Sequence, residues 1–109
     1  MKITEIRPRR KRLSALYIDG EFAVSLDTQT LIENRFDVGR EIDDEDLQEI
    51  IKLSNERRAK DKALWLLSYR EHSKKELEEK IRRTADEDSA QKAVDRMEEL
   101  GLVDDERFA

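Results

Sequence analysis

The residue pattern of this chain predicts an α+β fold, mainly α: a β-hairpin or small sheet at the N-terminus, followed by a three-helix repeat. Three observations carry that reading. Asp19-Gly20 lies directly between two β-prone runs, the strongest short-range hairpin signal, because a type I′ turn needs positive φ at both central residues. From Asp43 onward apolar residues recur at helical spacing. Capping residues and a terminal glycine punctuate this second region as consecutive helices require.

The hairpin joins residues 15–18 to 21–26. A two-residue loop sets Tyr17 opposite Phe22 and Ala15 opposite Val24, four side chains on one small apolar face. Leu16, Ile18, Glu21 and Ala23 fall on the other face. An isolated hairpin is marginal in water, so a third strand over residues 2–7, or a helix, is expected to support it. Asp27 caps a short helix over 28–35, with Leu31, Ile32 and Phe36 as its apolar contacts, and Gly39 makes the bend before Ile42.

The helical region opens at Asp43, with Asp44, Glu45 and Asp46 where a helix N-terminus favours negative charge. Leu47, Ile50 and Ile51 form its buried stripe, and Ser54-Asn55 either breaks the helix or restarts it. Ala59, Ala63, Leu66 and Leu67 follow at i, i+4, i+7 and i+8. Leu64 and Trp65 widen that stripe, which places Trp65 in the core. Ser73-Lys74-Lys75-Glu76 is a capping box whose helix, over 74–84, buries Leu77 and Ile81. A further helix over 87–100 aligns Ala90, Ala93, Val94, Met97 and Leu100, with Gly101 as its αL terminator. Asp104-Asp105-Glu106 reads as the acidic first turn of another helix. The expected organisation is a β-rich segment over 1–42, a helical repeat with its preceding helix over 43–103, and the opening of a second repeat over 104–109. The chain is thus expected to be the front part of a longer protein, or a trimmed form of one.

Composition narrows the function. Charged residues make up 45% of 109 and apolar ones 37%, so the core is small. No apolar run approaches the ~20 residues needed to cross a bilayer, and no secretory signal is present, so a soluble cytoplasmic protein is expected. Cysteine is absent and His72 is the single histidine, which argues against disulfides, thiol nucleophiles and histidine-rich metal centres. There is no glycine-rich phosphate loop and no nucleophile motif, and the acidic clusters are accounted for by helix starts, so no enzyme activity, no catalytic residue, no cofactor and no small-molecule substrate are expected. The net charge of −5 conceals segregation: residues 1–12 carry six bases against one acid, and residues 52–83 carry eleven against six. A protein binds through a face rather than its average charge, although solvated helices also produce charge blocks.

Five bases, Arg7, Arg9, Arg10, Lys11 and Arg12, fall within six positions, with Pro8 keeping the segment out of a helix. Such a run suits phosphate contacts, which supply salt-sensitive affinity rather than sequence choice. Arg57 and Arg58 precede the alanine–leucine stripe; Arg70, Lys74 and Lys75 crowd the turn after it. Tyr69 at the helix end can stack on a base or pack on a neighbour. Arg82 and Arg83 complete the candidate set, though cations at a helix C-terminus also favour the macrodipole.

Taken in order, certain segments resemble a known family. Tyr17-Ile18-Asp19-Gly20-Glu21-Phe22-Ala23 precedes Ala63-Leu64-Trp65-Leu66-Leu67-Ser68-Tyr69-Arg70, then Ser73-Lys74-Lys75-Glu76-Leu77 with Lys80-Ile81 one turn on. Met97-Glu98-Glu99-Leu100-Gly101-Leu102-Val103 leads into Asp104-Asp105-Glu106-Arg107-Phe108-Ala109. The set resembles RecX, the regulator of the RecA recombinase. The resemblance implies tandem three-helix repeats, of which this chain holds the first. It also implies a non-enzymatic protein that lies in the groove of the RecA–single-stranded DNA filament and alters its ATP hydrolysis, with basic side chains facing DNA and RecA. The partners expected are therefore the RecA filament and single-stranded, or also double-stranded, DNA, with no membrane. Two other readings stand beside it: a stand-alone helix-turn-helix-like transcription module, and an interaction domain whose charges serve solubility.

Overall fold

The computed structural model describes residues 1–103. It contains β1 (Ile3–Pro8), β2 (Leu13–Ile18), β3 (Glu21–Asp27), α1 (Thr28–Glu33), α2 (Asp44–Leu67), α3 (Lys74–Arg82) and α4 (Glu87–Glu99). The order, strands and then helices, is that of the predicted α+β class. The expected turn of a further helix at 104–106 lies outside the described residues. Two compact units divide the chain, Met1–Ser54 and the part from Asn55 onward. The division falls inside α2.

In the first unit the strands form one antiparallel sheet in the order β1-β2-β3. Asp19 and Gly20 both have positive φ, 51° and 83°, as a type I′ turn requires. Tyr17 pairs with Phe22 as expected, but Leu16 then pairs with Val24 and Ala15 with Ser25. The expected Ala15–Val24 pair is therefore replaced, because Ala23 is an extra residue, a β-bulge. Phe22, Val24 and Leu26 share one parity and would share one face of a regular strand. The bulge leaves Phe22 outside and turns Val24 and Leu26 toward the core. The inner face thus carries Ile6, Leu16, Val24 and Leu26, and the outer face carries the rows Glu5–Tyr17–Phe22 and Arg7–Ala15–Ser25.

Ile3, Leu16, Ile18, Leu26, Leu31, Phe36, Ile42 and Ile50 make this unit's core. Asp27 caps α1 by accepting from the Thr30 amide (2.9 Å) and hydroxyl (2.8 Å). Ile32, expected to pack, is exposed, since it lies 100° around a two-turn helix from the buried Leu31. Ser54 neither breaks nor restarts α2. The helix runs straight through it, and its buried hydroxyl accepts from the Asp27 amide at 2.8 Å.

In the second unit Ala59, Ala63, Leu77, Ile81, Ala90, Ala93, Val94, Met97 and Val103 form the core. Ser73 caps α3 by accepting from the Glu76 amide at 3.1 Å, while the Ser73 amide donates back to the Glu76 carboxylate. Asp86 caps α4 through the Ser89 amide (2.9 Å) and hydroxyl (2.8 Å). Gly101, at φ 75°, closes α4 in a Schellman motif, with Leu102 N–H donating to Met97 and Gly101 N–H to Glu98. Two expectations fail here. Trp65 is 52% exposed rather than core, and Leu64 is exposed beside it, because Ala59 and Ala63 mark the buried side of α2 and Trp65 lies about 200° around the helix from Ala63. Leu100 is also exposed: α4 ends at Glu99 and Val103 fills the core instead. No helix among the described residues is long and apolar enough to cross a membrane.

Candidate nucleic-acid interface

The basic run folds into the tip of the β1–β2 hairpin. Leu13 N–H donates to the Arg10 carbonyl at 3.2 Å, and the two residues between, Lys11 and Arg12, both lie in the left-handed region at φ 59° and 62°. Asn-Gly would suit such a turn; L-residues with long side chains cost roughly 1–2 kcal/mol each there. A locally unfavourable choice that keeps two charges at a loop tip has the character of a functional site. Arg9, Arg10, Lys11 and Arg12 are exposed, and among the described residues none of the four meets a carboxylate. Arg7 differs, since it forms an ion pair with Glu5.

The same loop reaches aromatic rings that the sheet turns outward. Tyr17 and Phe22 meet edge to face, with centroids 5.8 Å apart at 85°. The Arg7 guanidinium lies 5.2 Å from the Tyr17 centroid and that of Arg9 lies 5.8 Å from Phe22.

The second unit carries its own cluster. Tyr69, 72% exposed, packs against Trp65 with centroids 4.9 Å apart at 71°, and Lys62 Nζ lies 4.6 Å from the indole centroid. Trp65, Leu66, Tyr69, Arg70, His72 and Lys80 line an open groove of about 470 Å³. His72 is buried at its floor. Its Nε2 lies 2.9 Å from the Lys80 ammonium, which can only donate, so Nδ1–H donates to the Arg70 carbonyl at 2.9 Å. These two hydrogen bonds tie α3 to the turn that precedes it.

The predicted bases of this unit have different surroundings. Arg70 is ion-paired with Glu76, and that hydrogen bond is the main reason the Glu76 carboxyl is held below its usual range and the guanidinium above its own. Lys74 meets Glu98 at 3.1 Å. Any anionic partner of Arg70 or Lys74 therefore competes with a carboxylate already in place. Glu76 takes Arg70 as its partner, not Lys80 one turn on. Arg57 is half-buried and has a partner of its own. Arg58, Lys75, Arg82 and Arg83 are exposed without a carboxylate partner among the described residues. Trp65, His72, Lys80 and Lys62 were absent from the predicted set. A tryptophan three residues after Lys62 and four before Tyr69 is the signal that could have placed it on an outer, mixed face of α2.

The chain is similar in sequence and fold to proteins of one family. Residues 59–97 match the first three-helix domain of RecX. Over 102 residues the chain is 34% identical to the regulatory protein RecX of Lactobacillus gasseri, covering 93% of this chain and 38% of that one. It is 31% identical over 111 residues to the regulatory protein RecX of Caldanaerobacter subterraneus, covering 100% and 56%. The corresponding figures for the regulatory protein RecX of Bacillus subtilis are 27% over 110 residues, 98% and 42%. A crystal structure of regulatory protein RecX matches with a TM-score of 0.70 at 24% identity, over 98% of this chain and 54% of that one, a likeness of fold. The chain spans about half or less of the length of the relatives it matches.

Proposed function

This chain belongs to the RecX family, and from that premise we propose that it is a non-enzymatic regulator that associates with the RecA–single-stranded DNA filament and modulates its ATP hydrolysis in recombination and repair. It acts in the cytoplasm, and residues 43–103 serve as the first helical repeat. The observation that carries the reading is the hairpin tip, where Arg9, Arg10, Lys11 and Arg12 stand exposed and free of carboxylates among the described residues. Four cations on a projecting loop track a phosphate backbone without reading bases. Lys75, Arg82, Arg83 and Arg58 add cationic points in the second unit, and Arg7, Arg57, Arg70, Lys74 and Tyr69 complete the contact set.

The test adds the chain to preformed RecA filaments on single-stranded DNA, following ATP hydrolysis and co-sedimentation while salt is varied. Salt-sensitive association with a changed hydrolysis rate supports the proposal. Sequence-selective binding to duplex DNA without RecA would assign a transcription module instead. No association at low salt, with hydrolysis unchanged, would refute the proposal for this chain.

A further inference from the structure

We propose that the outer face of the sheet is a stacking platform for the unpaired bases of a single-stranded nucleic acid, with Phe22 and Tyr17 supplying the rings and Arg7 and Arg9 the adjoining cations. The proposal rests on the nucleic-acid reading above and locates within it the contact made to bases rather than phosphates.

Phe22 is 56% exposed on a strand that has Val24 and Leu26 turned to the core. The bulge at Ala23 produces that split. Without it Phe22 would share a face with Val24 and Leu26. The interrupted ladder leaves a large ring in solvent, and bulges of this kind can re-aim side chains at binding sites. Across from Phe22, Tyr17 holds it edge to face at 5.8 Å, which limits the ring's freedom before any ligand arrives. Ala15, next in the outer rows, is small enough for Arg7 to lie across toward Tyr17.

Charge selects the occupant. The two guanidiniums lie over the rings, and Arg10, Lys11 and Arg12 continue the positive field along the loop. Of the carboxylates in this face's paired rows, Glu5 is engaged by Arg7, and Asp27, opposite Leu13, is buried and caps α1. An apolar protein partner would have to desolvate these arginines; a polyanion with π-faces satisfies both features together. Exposed guanidinium–ring contacts are weak and exchangeable, so Arg9 can leave Phe22 for a phosphate as a base takes its place. Rings on a sheet surface reach only bases that are splayed from a duplex, which makes the ligand single-stranded, and stacking without edge contacts tolerates any sequence.

Fluorescence anisotropy with the 109-residue chain compares a labelled thymidine 15-mer with an abasic 15-mer of equal phosphate count. The wild-type chain is expected to bind the thymidine strand about tenfold more tightly. Phe22→Ala and Phe22→Leu should bring that ratio close to one with circular dichroism unchanged, and Phe22→Trp should preserve it. Equal binding of both strands by the wild-type chain, or an unchanged ratio in Phe22→Ala and Phe22→Leu, overturns the platform and leaves phosphate binding standing. Absence of binding to either strand at low salt overturns both.

Discussion

Replacing Lys11-Arg12 by Asn-Gly should make the protein more stable and a poorer ligand for nucleic acid. Both residues occupy the left-handed region, at φ 59° and 62°. An L-residue there costs roughly 1–2 kcal/mol. Arg12→Gly removes that cost but adds roughly 0.5–1 kcal/mol of backbone entropy in the unfolded chain, and Lys11→Asn recovers part of its own share because asparagine tolerates the conformation. The turn's hydrogen bond from Leu13 to Arg10 and the Thr28 amide's bond to the Arg12 carbonyl use backbone atoms and survive. The net gain is about 1 kcal/mol, which at an m-value of about 1–3 kcal/mol/M raises the urea midpoint by roughly 0.3–1 M. Binding moves the other way. Each lost contact to a single-stranded phosphate flattens the dependence of log affinity on log salt by about 0.7, so the pair flattens it by about 1.4. Urea unfolding followed by circular dichroism and anisotropy across a salt series read the two effects. An unchanged or lower midpoint refutes the strain argument; an unchanged salt slope refutes the role of the tip in phosphate contact.

Three further outcomes follow from the second unit. Leu77→Ala, at a fully buried position of α3 in the core that Ala59 and Ala63 share, should destabilise by about 2–5 kcal/mol in urea unfolding. Trp65→Ala should cost less than about 1 kcal/mol, the behaviour of a surface residue, and acrylamide should quench the native indole readily; a loss of about 3–5 kcal/mol would return Trp65 to the core. The Asp86 carboxyl is held below its ordinary value chiefly by the Ser89 amide and then by the Ser89 hydroxyl. Its capping contribution is therefore present above the unfolded-state pKa of about 3.9 and is lost as pH falls through the lower folded value. Asp86→Asn keeps the cap without titrating, so the stability difference between the two proteins should change across that acidic window and stay flat from pH 5 to 8.

Features that depend on a few consecutive residues were legible along the chain. Asp19-Gly20 makes its turn, Ser73 and Glu76 cap each other, and Gly101 ends α4, because each solves a steric or hydrogen-bonding problem posed within five residues. The concentration of cations at residues 7–12 was equally visible, since charge is a property of residue type. Through-space neighbours decided the rest. The bulge at Ala23 arises because Val24 and Leu26 must reach a core made by Leu31, Phe36 and Ile50, distant in sequence. Lys74 is matched by Glu98, 24 positions on, which no local spacing reveals. Helical periodicity located the seam of α2 but not its width. That width is set by which positions of α2 meet the core: Ala59 and Ala63 do, while Trp65, on the far side of the helix, stays in water beside Tyr69 and Lys62.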